Sequence, residues 1–179
     1  QDMSARNIAM TELVQLAVEK GTSALDRNTI IQAFQRVIQS KAYWRFRFNA
    51  IGQLRAIQTL PYDQATTELL ISLINNETSW VKAAALSSLG LTNDASHADL
   101  FINCLADSSD RVVNAAAVAL GKTKSPEAFE ALLKLKDKPS WKNQSLMHCL
   151  AGLAQLGDAR AEVIAVAALA DNQSPRWFL

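Results

Sequence analysis

Four segments of this chain line up on a single leucine: YWRFRFNAIGQLRA, SWVKAAALSSLG, DRVVNAAAVALG and SWKNQSLMHCLAG. The anchors are Leu54, Leu89, Leu120 and Leu150, separated by 35, 31 and 30 residues. Four places earlier stand Ala50, Ala85, Ala116 and Leu146; eight places earlier stand Phe46, Val81, Val112 and Lys142. Small or apolar residues thus recur at i, i+4 and i+8, which places them on one stripe of a helix. Self-similarity at such a period constrains a fold more than any composition, because it demands copies of one supersecondary unit.

A second series lies between these helices: DQATTELLISLINN, DASHADLFINCLAD, SPEAFEALLKLKD and DARAEVIAVAALAD, matched on Leu73, Leu105, Leu135 and Leu169. N-caps are expected at Asp63, at Asp94 or Ser96, at Ser125 before Pro126, and at Asp158. Gly90, Gly121 and Gly157 fall near helix ends, where a left-handed residue relieves the last turn. Each unit is a helical hairpin that cannot bury its apolar face alone. Stacking buries it, so the expected fold is all-α, a right-handed α-α superhelix of about five hairpins. The second helices are expected to line the concave side. The predicted organisation is one solenoid domain, 1–179. A lone leading helix spans 4–21, hairpins span 27–57, 63–91, 95–122 and 126–156, and a last partial repeat spans 159–179.

The composition agrees: 49% hydrophobic, 20% charged, with only 6 Gly and 4 Pro in 179 residues. Net charge is +1, from 18 basic and 17 acidic residues, and supplies no general field for nucleic acid. Glu68, Glu77, Asp94, Asp99 and Glu127 interrupt any basic face. No apolar run approaches the roughly 20 residues that span a bilayer. The opening QDMSARNIAM lacks the basic start and apolar core of a signal peptide and reads as the cut edge of a longer protein. The closing DNQSPRWFL repeats the phrase around Ser140 and reads as an unfinished hairpin or a short cap carrying Trp177 and Phe178.

The phrase LADSSDRVVNAAAVALG, residues 105–121, resembles the HEAT-repeat consensus L-x-D-x-S-x-x-V-R-x-x-A-A-x-A-L-G, with Arg111 one place early. INNETSWVKAAALSSLG resembles it too, with Lys82 in place of arginine. The resemblance covers residues 27–179 and implies an array used by many unrelated proteins. DMSARNIAMTELVQLA, AYWRFRFNAIGQL, PSWKNQSLMHCLAGLAQLGDARA and SPRW together resemble the C-terminal helical region of aminopeptidase N-type zinc metallopeptidases. That resemblance implies an accessory region which shapes access to an upstream active site. The His-Glu-x-x-His helix of that family is absent from this chain.

The residues themselves offer little chemistry. Two histidines, His97 and His148, lack metal-binding spacing. His97 reads as a surface residue and His148 as one at a groove or boundary. His148 and Cys149 are sequence neighbours on one helix, so their side chains diverge by about 100° and form no nucleophile pair. Cys104 and Cys149 read as buried free thiols. No glycine-rich phosphate cradle occurs. The chain is expected to be non-catalytic, with no cofactor and no metal.

More informative is a ladder of aromatic and basic residues: Trp44, Arg45 and Arg47; Trp80 and Lys82; Arg111; Trp141 and Lys142; Arg176 and Trp177. All are expected in the first turn of a second helix. Two readings are open. The cations can pair with acids ending the preceding helix, at Asp107, Asp137 and Asp171, while the rings close hairpin turns. Alternatively the ladder lines one edge and binds a protein, since Trp and Arg dominate binding hot spots. The expected partner is protein, either upstream parts of the same chain or a separate protein. Self-association through exposed solenoid ends is also expected; nucleic acid and membrane are not. A free-standing interaction scaffold competes with the accessory region. A solenoid-based lyase or nucleic-acid binder is a further alternative.

Overall fold

The computed structural model describes residues 3–19, 23–58, 60–138, 140 and 143–170. Among these residues there are ten α-helices and no strand. In chain order they are α1 (Met3–Val18), α2 (Ala24–Gln39), α3 (Trp44–Ile57), α4 (Gln64–Asn76) and α5 (Ser79–Leu89), then α6 (Ala98–Cys104), α7 (Asp110–Thr123), α8 (Ala128–Lys136), α9 (Gln144–Leu156) and α10 (Arg160–Ala170). Single 3-10 turns stand at Gly90–Thr92 and Ala95–His97. The class is the expected one, an all-α fold of antiparallel hairpins of the α-α solenoid type. The chain divides into two compact units, Gln1–Thr92 and Asn93–Leu179.

In the first unit α1, α3 and α5 form one row, backed by α2 and α4. The row exists because the i, i+4 stripe is buried: Ala50, Leu54, Val81, Ala85 and Leu89 are almost wholly excluded from solvent. Phe34, Ile38, Leu70 and Ile74 fill the space from the other row. One polar group is sealed in with them. Thr66, fully buried, accepts hydrogen bonds from Gln35 (2.9 Å) and Gln58 (2.9 Å), tying α4 to α2 and to the end of α3. Asp63 caps α4 as expected, accepting from the Thr66 N–H at 2.7 Å.

In the second unit α7 and α9 pack along each other, with α6 and α8 as their hairpin partners and α10 against α9. The α7 stripe is the expected one, Val112, Ala116 and Leu120. The α9 stripe is not. Its buried line is Ser145, Cys149 and Leu153, while Leu146 and Leu150 are only half-buried. The correct anchor is therefore Leu153, three residues beyond Leu150. The leucine-rich run LMHCLAGLAQL offers several registers, and packing selects the one with small groups against α7.

That selection turns on two glycines. A Cβ on Gly121 would lie 2.0 Å from the Gly152 carbonyl oxygen, and one on Gly152 would lie 2.7 Å from the Ala117 oxygen. The α7 and α9 backbones meet where neither residue has a side chain. Gly121 is thus no helix-ending residue: α7 runs on to Thr123, and the left-handed position is Lys124 (φ 52). Gly90 is likewise right-handed, φ −63, and begins a 3-10 turn. Only Gly157 (φ 71) closes its helix as expected, with its N–H donating to Leu153 O at 3.1 Å.

At the other expected caps, Asp158 accepts from Arg160 N–H (2.9 Å), and Asp94 accepts from Ser96 N–H (2.8 Å) but caps the 3-10 turn before α6, whose own N-cap is His97. Ser125 does not cap α8. It opens a turn whose carbonyl accepts from Ala128 N–H at 3.1 Å, and α8 starts after Glu127.

Candidate functional site

Three residues of the described ladder share one register, while Trp44 stands one place earlier and Arg47 and Lys82 two places later. Arg45, Trp80 and Arg111 each stand five residues before the buried alanine of their helix, Ala50, Ala85 or Ala116. With the corrected α9 register, Cys149 takes the alanine place and Gln144 takes the ladder place. Trp141, Lys142, Arg176 and Trp177 lie outside the described residues.

In the first unit the ladder is an aromatic cluster. Trp44 from α3 stacks on Trp80 from α5, with centroids 4.7 Å apart and planes at 24°. Phe48 meets the edge of Trp80 at 6.1 Å and 83°, and Tyr43 lies 5.6 Å from Trp44. The Arg45 guanidinium carbon is 5.2 Å from the Trp44 ring centroid, within cation–π range. The cluster is not core: Tyr43 is 52% exposed, Phe48 37% and Trp80 37%. Trp44, Phe48 and Trp80 sit on helices that bury another face, and Tyr43 immediately precedes α3, so folding leaves this edge toward solvent.

Beside the cluster, Arg47 is committed to structure. Its Nε donates to the Ile38 carbonyl (2.7 Å), and its two terminal nitrogens fork the Glu77 carboxylate, one at 3.0 Å. The hydrogen bonds and charge of Arg47 hold the Glu77 carboxyl below its ordinary pKa of 4.5. Arg47 therefore pairs with an acid of the following hairpin; the acids expected to pair with ladder cations, Asp107, Asp137 and Asp171, precede the other helices of the ladder. Asp107 accepts the Ser109 N–H at 2.9 Å, Asp137 is exposed with Lys136 Nζ at 3.6 Å, and Asp171 lies outside the described residues.

In the second unit His148 faces α7. Its Nδ1 is 3.2 Å from Asn114 Oδ1, and its Nε2 is 3.8 Å from Asp110 Oδ1. The imidazole is buried, contrary to its expected boundary position, because α9 turns it toward the close α7 backbone. Among the described residues Nε2 has no hydrogen-bond partner. Burial pushes the His148 pKa down, and nearby Asp110 opposes that shift. Cys149, fully buried, has its thiol pushed up to about 11 by burial. Cys104 is half-buried, not buried as expected. His97 is half-buried too, 4.0 Å from Asp94 and edge-on to Phe101.

Among the described residues no group of three His, Cys, Asp or Glu side chains is placed to hold a metal ion. No described helix is long and apolar enough to cross a membrane.

Stacked amphipathic hairpins with exposed aromatic residues at their turns define a helical-repeat protein of the α-α solenoid class, the kind that generally mediates protein interactions. Residues 66–151 match the family model of HEAT repeats. No curated protein matches the chain. The match supports the repeat reading and lends no support to the resemblance to aminopeptidase N-type peptidases.

Proposed function

We propose that this chain is a non-catalytic protein-interaction module, whose contact surface in the first unit is the aromatic cluster of Tyr43, Trp44, Phe48 and Trp80. The observation that carries the reading is the stack of exposed Trp80 on half-buried Trp44, flanked by exposed Tyr43 and Phe48. Large rings held rigidly at a surface offer contact area at low entropic cost, and Trp, Tyr and Arg dominate measured hot spots. The match to HEAT repeats supports the same reading. The buried, protonated Cys149 thiol speaks against a thiolate nucleophile at that position.

The test is affinity capture on the immobilised chain, with Trp80→Ala and an exposed control, Gln64→Ala, compared at equal fold content by circular dichroism. A partner retained by the native chain and the control, and lost with Trp80→Ala, is expected. Equal retention on all three surfaces removes this cluster as the contact site.

A further inference from the structure

The exposed aromatic cluster stands in an unusually basic setting for a chain so nearly neutral. Residues 36–48 and 76–82, the segments that carry the rings and adjoin them in sequence, hold five cations (Arg36, Lys41, Arg45, Arg47 and Lys82) against one acid, Glu77. The remainder of the chain therefore bears the compensating acids. The one acid at the edge is already engaged, because both Glu77 oxygens are held by Arg47. Neither α3 nor α5 has an acidic residue in its first turn, the place where acids are ordinarily favoured. Arg45 is exposed while lying over Trp44, so a group that reaches the ring meets the guanidinium at the same time.

Resting on the docking surface proposed above, we infer that its occupant is an acidic linear peptide segment that carries at least one aliphatic or aromatic side chain. The apolar side chain seats against Trp80 and Phe48, the two rings that meet edge to face with 37% of each exposed. Its carboxylates face Arg45 and Lys41, both exposed. A basic partner would bring like charges together, which complementary interfaces avoid. Because the rim cations are solvated, their contribution is screened by salt, whereas that of the rings is not.

The experiment pans short random peptides displayed on phage against the full chain, with Trp80→Ala as the counter-target. Selected sequences are then made as free peptides and titrated by Trp fluorescence. The expected result is a net acidic set with an apolar anchor. Binding should weaken as salt rises and should fall about tenfold with Arg45→Glu, a change confined to an exposed side chain. A peptide with its acids replaced by lysine should prefer the Arg45→Glu chain. Selected peptides that are neutral or basic, yet lost with Trp80→Ala, overturn the acidic partner and leave the docking surface standing. Recovery of no peptide, or of peptides held equally by Trp80→Ala, overturns both.

Discussion

Arg47, in the first turn of α3, grips both carboxylate oxygens of Glu77, the residue that closes α4. The same guanidinium caps the Ile38 carbonyl at the end of α2. Arg47 of α3 therefore joins the ends of α2 and α4, the two helices of the backing row, and its side chain is only 11% exposed. Such partly buried, bidentate pairs are worth more than solvated ones.

Glu77→Gln should destabilise the first unit by about 1–3 kcal/mol at neutral pH, and Arg47→Ala by at least as much, since it also strands the Ile38 carbonyl. The pH dependence follows from the lowered Glu77 pKa. The stabilisation is complete above the unfolded value of 4.5 and is lost as pH falls through the lower folded value. Urea midpoints of the native chain and Glu77→Gln should therefore converge in acid. A gap that persists unchanged well below pH 4.5 would rule out the carboxylate as its source.

Glycines should respond in opposite directions. At Gly121 and Gly152 a methyl group meets the backbone of the facing helix, at 2.0 Å and 2.7 Å. Alanine there should cost about 1–3 kcal/mol or more through overpacking and should push α7 and α9 apart. Gly52, in the middle of α3, has nothing within 4 Å of its would-be Cβ. Gly52→Ala should stabilise by about 0.5–1 kcal/mol, because it lowers the entropy of the unfolded chain. Thermal melts of the three variants check the order, and a neutral Gly121→Ala would contradict the close crossing.

His148 should make the second unit sensitive to mild acid. Burial lowers its pKa from 6.5, with Asp110 and Asn114 facing it from α7. As pH falls below 6.5 the unfolded chain takes up the proton first, so folded stability declines until the lower folded value is passed. His148→Gln should flatten denaturation midpoints across this window. An NMR titration that places the imidazole above 6.5 would refute the sign.

The two thiols should separate cleanly. With a pKa of about 11, Cys149 exists at pH 8 as thiolate in about one molecule in a thousand, and it is shut away from reagent. A Cys104→Ser chain should show no reaction with a disulfide reagent until denaturant is added, whereas Cys149→Ser should react in the native state through half-buried Cys104.

Much of the architecture is legible in the periodicity. The i, i+4 stripe through Ala50 and Leu54, Ala85 and Leu89, and Ala116 and Leu120 is the stripe that folding buries. Local signals also carry their own geometry, as at Asp63, Asp94, Asp158 and Gly157, where a cap or a left-handed turn is decided within a few residues. The ladder residues Arg45, Trp80 and Arg111 are legible for the same reason, since position along a helix follows from the stripe.

What the sequence by itself determined is therefore the repeat: helices, their buried faces, and which side chains stand at the hairpin turns. Tertiary structure alone decided the rest, because those questions concern which helix meets which. Leu153 rather than Leu150 anchors α9 because glycine faces glycine across the α7 crossing. Arg47 pairs with Glu77, thirty residues away, because stacking brings two hairpin ends together. His148 is buried because the same crossing turns it toward Asn114. A one-dimensional pattern specifies each helix's apolar face, but close approach, charge pairing and burial of a polar group depend on distances between helices, which no single stretch encodes.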